Sequence, residues 1–263
     1  MYFSFLCPYM KLSAYVLTCN SERYIGEIID KLSCVADEIL ILDSGSTDST
    51  INIASQSPKV VICYRSFDNF KEQRNYAAMK CAYNAVFFVD SDEIPDKELI
   101  NSLKKIKEEQ NELKLKAYSV KRQWEVLGRS VHAIYPVVCP DNVVRLFDRR
   151  YVSFADNSNI VHETIEGYDE CICLEGNLRH KTFHTKEELL NKVEHYTDLA
   201  AEDLIRRKKR VSSFKIIFSP IAGFIKWYFF KKGFLDGKEG LILALYAYKY
   251  TRLKYCKAYR IMV

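Results

Sequence analysis

The first 110 residues alternate between short apolar runs and amphipathic stretches, and this alternation restricts the fold more than any other feature. The apolar runs are rich in β-branched and aromatic residues, which is typical of buried strands. The stretches between them carry apolar residues at helical spacing, as in Ile25, Ile28, Ile29 and Leu32. This pattern predicts an α/β fold with a Rossmann-like, mostly parallel, doubly wound sheet flanked by helices. The predicted strands are Leu12–Thr18, Ile39–Leu42, Val60–Tyr64 and Ala85–Asp90, and the predicted helices include residues 50–55, 67–82 and 96–110.

Polar side chains follow three of these strands. The carboxyl ends of parallel strands meet at one edge of the sheet, where ligands bind. Carboxylate oxygens suit Mg²⁺ or Mn²⁺, which share their coordination with phosphates, so we expect a divalent metal holding a diphosphate there. Arg74, in the helix before the fourth strand, can add a bidentate contact to phosphate. The residues at the strand ends are Thr18 and Asn20, Asp43 and Ser44, and Asp90, Ser91 and Asp92.

Two other interpretations of these acids stay open at this point. Acids after strands also serve as turn and N-cap residues, and Asp96 after Pro95 is predicted to cap the following helix. A dinucleotide-binding site would use Asp43 on a ribose. That site requires a glycine-rich first turn, however, and the turn Thr18–Glu22 contains no glycine. The sequence favours a nucleotide whose phosphates are held by a metal and a cation.

The positive charge is concentrated near the C-terminus. Residues 201–263 contain 15 Lys and Arg but only 4 Asp and Glu, whereas the rest of the chain is acidic on balance. This excess predicts an acidic partner, with anionic lipid head groups as the first candidate and nucleic acid as the second. Apolar residues repeat at helical spacing from Phe214 to Phe229, with a kink expected at Pro220, and no uncharged run reaches the ~18 residues of a membrane span. We expect a helix lying in the interface of an anionic bilayer; a helix packed on its own domain is the alternative.

The nine cysteines are mostly isolated, and several lie within predicted apolar strands and helices, which fits a reducing compartment. Only Cys171 and Cys173 are close together, and no second Cys or His pair completes a zinc pattern. Residues 1–10 show no secretory signal and are expected to be an extension outside the core, with Met10 as a plausible start.

The second half of the chain changes character. Strand-like stretches are predicted at Ala117–Trp124 and Val143–Phe147, and a long helix at Lys186–Arg210. The stretches Asn159–Glu163 and Leu178–His184 place His or Glu beside apolar residues. A lone histidine in such a context is commonly structural, but a third metal ligand must come from some part of the chain.

Taken together, residues 11–255 resemble the inverting family 2 glycosyltransferases of the GT-A fold, in particular the group that adds glucose to the first heptose of the lipopolysaccharide inner core. Each matching stretch is short, and the set is specific. The stretches are Thr18-Cys19-Asn20-Ser21-Glu22, Ala36-Asp37-Glu38-Ile39, Asp43-Ser44-Gly45-Ser46-Thr47-Asp48, Gln73-Arg74-Asn75-Tyr76-Ala77, Asp90-Ser91-Asp92-Glu93, Arg145-Leu146-Phe147, Val161-His162-Glu163 and Gly233-Phe234-Leu235-Asp236-Gly237.

The resemblance implies a UDP-sugar donor, a divalent metal (Mg²⁺ or Mn²⁺) and a lipid-linked core oligosaccharide as acceptor, with no nucleic acid. It also implies an enzyme at the inner face of the cytoplasmic membrane. Inversion needs one base, for which Glu163 is the candidate, with Asp156 and Asp141 in reserve. The implied nucleotide-sugar site comprises Thr18, Asn20, Glu22, Asp43, Arg74, Asp90 and Ser91, and the implied metal ligands are Asp92, Asp90 and His180, with His184 as a substitute for the histidine.

These expectations divide the chain into an extension (1–10), a catalytic domain (11–200) and a basic, amphipathic, membrane-associating helical region (201–263). Within the catalytic domain, residues 11–110 form the nucleotide-binding half and residues 111–185 the acceptor half. The chain lacks the Gln-x-x-Arg-Trp sequence of processive polymerases, which favours transfer of a single sugar. A sugar nucleotidyltransferase, a transferase for another surface glycan and a non-catalytic membrane module are the alternatives.

Overall fold

The structure is a computed structural model that describes residues 9–155 and 164–262. The strands are β1 (Leu12–Thr18), β2 (Glu38–Asp43), β3 (Val60–Tyr64), β4 (Ala85–Asp90), β5 (Glu93–Pro95), β6 (Ala117–Val126), β7 (Arg129–Ser130), β8 (Ala133–Ile134), β9 (Val137–Val138), β10 (Asp141–Asp148), β11 (Ser153–Ala155), β12 (Thr164–Glu166) and β13 (Cys171–Thr182). The helices are α1 (Ile25–Ser33), α2 (Thr50–Ala54), α3 (Phe70–Lys80), α4 (Lys97–Glu109), α5 (Lys186–Arg206), α6 (Ser213–Ile225) and α7 (Gly237–Met262). A π-helical segment (Lys226–Phe230) and a 3-10 turn (Gly233–Asp236) lie between α6 and α7.

The main sheet has the order β3-β2-β1-β4-β10-β6-β13-β5, with β7 paired to β6. The four strands β3, β2, β1 and β4 are parallel, as the alternating sequence pattern predicts. Strand β10 runs antiparallel to β4, and β13 runs antiparallel to β5. The prediction of a GT-A type α/β fold is confirmed, and the antiparallel strands come from the second half of the chain.

Alternate side chains of the parallel strands pack on opposite faces of the sheet, because successive residues of a strand point to opposite sides. In β4, Phe87 and Val89 join one apolar cluster with Ile28 of α1, whereas Val86 and Phe88 join a second cluster on the other face. These side chains are almost completely buried. The central strands are therefore apolar on both faces, and their polar residues collect at their ends.

Several predicted boundaries shift for local reasons. The helix expected at residues 67–82 begins at Phe70, because the Asn69 side chain accepts a hydrogen bond from the backbone of Glu72 and caps it. The sequence pattern from Ser46 to Thr50 also predicts Ser46 or Thr47 as the N-cap of the helix expected at 50–55, and this is wrong, because the N-cap is Ser49. Asp96 caps α4 as predicted, accepting from the Leu99 N–H at 2.8 Å. The helix expected to reach Arg210 ends at Arg206, and the stretch Leu178–His184, for which no element was predicted, lies mostly in the strand Cys171–Thr182.

The described chain divides into two compact units. The first unit contains the residues up to Arg122 together with Asn142–His180, and the second contains Gln123–Asp141 together with the residues from Lys181 onward. By packing, α5 belongs with the C-terminal helices, while the functional division at residue 200 stays a prediction. Met10, expected outside the core, is buried, and its N–H donates to the Lys107 and Gln110 carbonyls.

The second unit is built around α7, which packs against both α5 and α6. Its core joins Phe183, Leu189, Leu243 and Tyr246 with apolar residues of the 123–141 segment. Helix α6 continues through Pro220, and the irregular helical turn comes later, at Lys226–Phe230. No helix in the described part of the chain is both long enough and apolar enough to cross a bilayer.

Candidate functional site

Asp43 is the last residue of β2, and its carboxylate accepts hydrogen bonds from the turn that follows this strand. The Thr18 hydroxyl donates to Oδ1 at 2.9 Å, and the Gly45 and Ser46 N–H groups donate to Oδ2 at 2.9 and 2.8 Å. The Ser46 hydroxyl donates to Oδ1 as well. Burial alone raises the pKa of the Asp43 carboxyl, but these hydrogen bonds outweigh burial and hold the pKa below its ordinary value. Asp43 organises the turn after β2, and its contact with a nucleotide stays a prediction.

The loops that follow β1 and β2 are joined by reciprocal hydrogen bonds. Asn20, which has a φ of +51°, accepts from the Thr47 N–H through Oδ1 at 2.8 Å. Glu22 accepts from the Ser49 N–H at 2.9 Å, and its own N–H donates to Asp48 Oδ2 at 3.1 Å. The predicted site residues Asn20 and Glu22 thus hold two loops together at the carboxyl ends of neighbouring strands.

Asp90, at the end of β4, is held by two arginines. Arg74 Nη2 donates to both Asp90 oxygens, at 3.0 and 3.3 Å, and Arg145 Nη2 donates to Oδ2 at 3.3 Å. Both guanidinium groups lie over the Phe88 ring, with centroid distances of 5.4 and 4.4 Å, because Phe88 and Asp90 share one face of β4. Arg74 and Asp90 therefore lie together, and the contact of Arg74 with a nucleotide stays a prediction. The metal contact assigned to Asp90 stays a prediction.

Glu93 is a central charge of this network, and no role was predicted for it. Its side chain is fully buried and accepts from Arg145 Nε at 3.0 Å and Nη2 at 2.6 Å. It also accepts from the Asp90 N–H at 3.1 Å, while Arg122 lies 3.4 Å away. Burial raises the pKa of the Glu93 carboxyl, but the charge and hydrogen bonds of Arg145 outweigh it, so the pKa lies below its ordinary value. The signal in the sequence was Arg145, a single charge inside the apolar stretch Val143–Phe147.

Asp92 and His180 meet although they are 88 residues apart. His180 Nε2 lies 3.1 Å from Asp92 Oδ2, and the imidazole is more deeply buried than the carboxylate. The contact follows from the pairing of β13 with β5, which sets His180 opposite Glu93. His180 thus lies beside Asp92, one of the acids that follow β4, and its role as a metal ligand stays a prediction.

The register that delivers His180 depends on Gly176 and Asp96. Gly176 has a φ of +93°, and a Cβ there would lie 2.1 Å from the Leu99 backbone nitrogen, so only glycine fits. Asp96 Oδ2 accepts from both the N–H and the side-chain amide of Asn177, at 3.0 and 3.1 Å. Strand β13 is therefore fixed against the first turn of α4 three to four residues before His180.

The donors at this edge suit a hard divalent ion. A separation of 3.1 Å between a carboxylate oxygen and an imidazole nitrogen matches two neighbouring ligands around an octahedral ion with bonds of about 2.1 Å. Asp92 is partly exposed, which leaves room for the water and phosphate ligands that such ions keep. Within residues 9–155 and 164–262, no cluster of three His, Cys, Asp or Glu side chains forms a complete metal cage.

The remaining predicted residues lie elsewhere. The candidate base Glu163 and the reserve Asp156 fall within residues 156–163, outside the described part of the chain. Asp141, the other reserve, belongs to the second unit and accepts a hydrogen bond from Trp124 Nε1 at 3.0 Å. Ser91 lies in the turn between Asp90 and Asp92. His184 also belongs to the second unit, and its N–H donates to Glu188.

Comparison with known proteins agrees with this geometry. Residues 13–129 match the family model of Glycosyl transferase family 2. The chain is 29% identical over 266 residues to the lipopolysaccharide core biosynthesis glycosyltransferase LpsC of Rhizobium meliloti, covering 97% of this chain and 94% of LpsC. It is 25% identical over 240 residues to an uncharacterised glycosyltransferase of Rickettsia typhi, covering 88% and 81% of the two chains.

A solved structure shares the fold. Residues 1–349 of S. aureus TarS, in complex with UDP-GlcNAc, superpose with a TM-score of 0.50 at 19% identity, covering 74% of this chain and 67% of that one.

Proposed function

We propose that this protein moves one hexose, glucose, from a UDP-sugar to an inner-core lipopolysaccharide acceptor with inversion, because residues 13–129 match the family model of Glycosyl transferase family 2 and the chain is similar to glycosyltransferases over most of its length. Two observations near the carboxyl end of β4 carry the proposal: the contact between Asp92 and His180, and the contacts of Arg74 and Arg145 with Asp90. The similarity to LpsC supports the acceptor class. The family match counts against the two alternatives, a sugar nucleotidyltransferase and a non-catalytic membrane module.

The donor would lie along the strand ends. The edge formed by Thr18, Asn20, Glu22 and Asp43 is fixed by its own hydrogen bonds, so the loops need little rearrangement when a nucleotide binds. We propose that this edge takes the base and ribose, with Asp90 and Ser91 near the ribose and Arg74 near the phosphates. The complex of TarS with UDP-GlcNAc supports a UDP-sugar as the donor class.

We propose that Asp92 and His180 hold the divalent ion, Mg²⁺ or Mn²⁺, with Asp90 as a third contact. Such an ion would offset the negative charge that grows on the diphosphate as it leaves. The chain's own part is to orient these donors: β4 and β13 fix Asp92 and His180, while Arg74 and Arg145 fix Asp90. The buried ion pair between Glu93 and Arg145 supports the whole edge.

The reaction needs one base and one displacement. The oxygen of the acceptor hydroxyl forms a bond to the anomeric carbon while the bond from that carbon to the diphosphate oxygen breaks, and UDP leaves with the electron pair. The hydroxyl proton passes to a carboxylate, for which we propose Glu163; a base in this role contributes about 10²–10⁴-fold. Asp156 and Asp141 stay in reserve.

An inner-core acceptor carried on lipid A would place the enzyme at the inner face of the cytoplasmic membrane as a peripheral protein. The basic balance of residues 201–263 supports this location, because the inner leaflet carries anionic lipids. The region from residue 201 would then bring the catalytic domain to its acceptor.

A donor screen with the purified protein tests the proposal. We expect UDP release from one UDP-hexose in the presence of truncated lipopolysaccharide and divalent metal, and a strain lacking the protein should make lipopolysaccharide shorter by one hexose by mass spectrometry. Unchanged lipopolysaccharide with a mass change in another glycan would move the activity to that glycan. No UDP release with any donor would contradict transfer from UDP-sugars.

Glu163→Gln tests the base. Turnover should fall by about 10²–10⁴-fold while the donor dissociation constant stays unchanged, because the amide keeps the shape but accepts no proton. Glu166→Gln, an exposed acid in β12, is the matched control and should keep wild-type turnover. Loss of donor binding in Glu163→Gln would assign Glu163 a structural role instead.

A further inference from the structure

Helix α6 packs on the second unit through the face that carries Pro220 and Gly223, which we call its small side. Pro220 is buried, and Gly223 lies so close to α7 that a Cβ there would come within 3.3 Å of the Thr251 hydroxyl. One turn further on, Trp227 is buried beside Ala247. Gly223 thus allows α6 and α7 to approach each other closely.

The large apolar side chains of α6 lie on the outside. They occur at positions i, i+3, i+4, i+7 and i+11, a single helical stripe that continues into the π-helical segment. In a helix packed on its own domain this stripe faces the core, whereas here each side chain is between 42% and 78% exposed. We call this set the outer stripe: Phe214, Ile217, Phe218, Ile221, Ile225, Phe229 and Phe230.

The outer stripe lies within strongly basic sequence. Residues 204–235 contain nine Lys and Arg and no Asp or Glu. Five of the nine form the run Arg206–Arg210, directly before α6, and Lys215 and Lys226 are exposed on α6 and just after it. Long lysine side chains can lie along an apolar surface while their ammonium groups reach phosphate.

We propose that the outer stripe inserts into an anionic lipid bilayer, with α6 in the plane of the membrane and the surrounding cations on lipid phosphates. A row of exposed Phe and Ile matches acyl chains, and the uniform positive charge matches anionic head groups. A second copy of the chain is disfavoured, because a two-fold interface would bring nine cations against nine. Nucleic acid would match the charge but not the isoleucines.

This proposal rests on the membrane location proposed above and adds which surface of the protein contacts the membrane. Its test needs neither donor nor acceptor, so its outcome is independent of the outcome for glycosyl transfer. Purified full-length protein is floated with vesicles of phosphatidylcholine alone and with vesicles that also contain phosphatidylglycerol. We expect flotation with the anionic vesicles only, and we expect it to weaken as salt rises.

Two variants separate the contributions of the outer stripe and of the cations. The double variant Ile217→Ser, Phe218→Ser should weaken vesicle binding by about tenfold or more. The triple variant Lys208→Gln, Lys209→Gln, Arg210→Gln should weaken it by about a hundredfold, since each cation contributes about fivefold. The control for the stripe variant is the double variant Tyr151→Ser, Ile172→Ser. The control for the cation variant is the triple variant Lys97→Gln, Lys105→Gln, Lys121→Gln. Both controls change exposed residues of the first unit and should leave binding unchanged.

Insertion is distinguished from adsorption by a fluorescence measurement. In Phe230→Trp the new indole should shift to shorter wavelength with anionic vesicles and be quenched by lipids brominated in their acyl chains. Both native tryptophans are at least partly buried, so wild-type protein provides the background.

The proposal is overturned if wild-type protein does not float with anionic vesicles, or if the stripe variant floats as well as wild type. If light scattering shows a dimer that becomes a monomer in the stripe variant, and the protein does not bind vesicles, the outer stripe is an interface between copies of the chain. Binding of polyuridylate without binding of vesicles would assign the cations to nucleic acid.

Discussion

In the first unit, four charged side chains pack against one another at the end of β4, and Glu93 among them is completely buried. In the second unit, the seven large apolar side chains of the outer stripe are exposed, and the small side of the same helix faces the protein. Burying charge and exposing apolar surface both cost free energy of folding. In the first unit, ion pairs offset the free-energy cost of burying charge. In the described part of the second unit, no contact offsets the cost of exposing the apolar side chains of the outer stripe.

This difference indicates two kinds of function. An internally satisfied charge network gives a rigid edge that can hold a ligand in one geometry. An unsatisfied apolar stripe gains free energy only when something outside the unit covers it. The contrast is the one that our two proposals predict, with chemistry in the first unit and membrane attachment through the second.

The largest effect should come from breaking the buried pair of the first unit. Glu93→Gln removes the fully buried counter-charge of Arg145 and leaves it only the partly exposed Asp90 carboxylate at 3.3 Å, and we expect the free energy of unfolding to fall by about 3–5 kcal/mol in urea denaturation. Combining Glu93→Gln with Arg145→Met should recover part of the loss. Glu175→Gln, an exposed acid on β13, is the control. If Glu93→Gln costs no more than this control, the pair does not support the edge.

Asp92→Asn should leave folding intact and remove activity. The Asp92 side chain is 39% exposed, so its replacement changes the free energy of unfolding little. We expect kcat/KM for UDP release to fall by about 10²–10³-fold, because a charge that stabilises the leaving diphosphate is lost. Asp30→Asn in α1 is the control. A variant with kcat/KM within twofold of wild type would show that Asp92 is not part of the reaction site.

Asp43→Asn should give a moderate, pH-dependent loss of stability. The amide has only one acceptor oxygen, so it cannot accept from the Gly45 and Ser46 N–H groups on one side and from the Thr18 and Ser46 hydroxyls on the other. The free energy of unfolding at neutral pH should therefore fall by about 1–3 kcal/mol. Because the pKa of Asp43 is lowered in the folded state, its contribution is complete above the ordinary carboxyl pKa of about 4 and disappears as pH falls through the lower, folded value.

The difference in unfolding free energy between wild type and Asp43→Asn should therefore shrink as pH falls below about 4. Asp169→Asn, a carboxylate on the surface, should show no such trend. A difference that stays constant with pH would mean that the carboxylate charge of Asp43 does not stabilise the turn.

The smallest effect should come from the outer stripe. Ile217→Ser should change the free energy of unfolding by less than about 0.5 kcal/mol, because the side chain is exposed. Leu243→Ala, in the core of the same unit, should cost about 2–5 kcal/mol. If Ile217→Ser destabilises the protein as much as Leu243→Ala, the side chain is packed in solution and the contrast between the units fails.

The sequence predicted the parallel strands and the acids at their ends, because burial on both faces leaves a run of apolar residues that is visible without a structure. It also predicted that Arg74 would lie near the strand-end acids. It assigned no role to Glu93, because nothing in the local sequence distinguishes a buried structural acid from the two ligand candidates beside it. Only the structure shows that its partner, Arg145, comes from β10, which pairs with β4 and lies 52 residues later in the chain.

The charge balance and helical spacing of the last quarter were also visible in the sequence, but the direction of the apolar stripe was not. Spacing fixes which residues share a face of α6, and it does not say whether that face turns inward. Packing decided this, since Gly223 and Pro220 allow α7 to approach the other face.

The sequence by itself determined the parallel half of the sheet, the acids at its edge and the amphipathic, basic C-terminal helices, because these depend on local periodicity and composition. Tertiary structure decided the partners: His180 for Asp92, Arg145 for Glu93, and α7 for the small side of α6. The physical reason is that a partner distant in the chain is chosen by strand register and close packing. Both depend on the positions of residues such as Gly176 and Asp96, which lie far from the side chains they bring together.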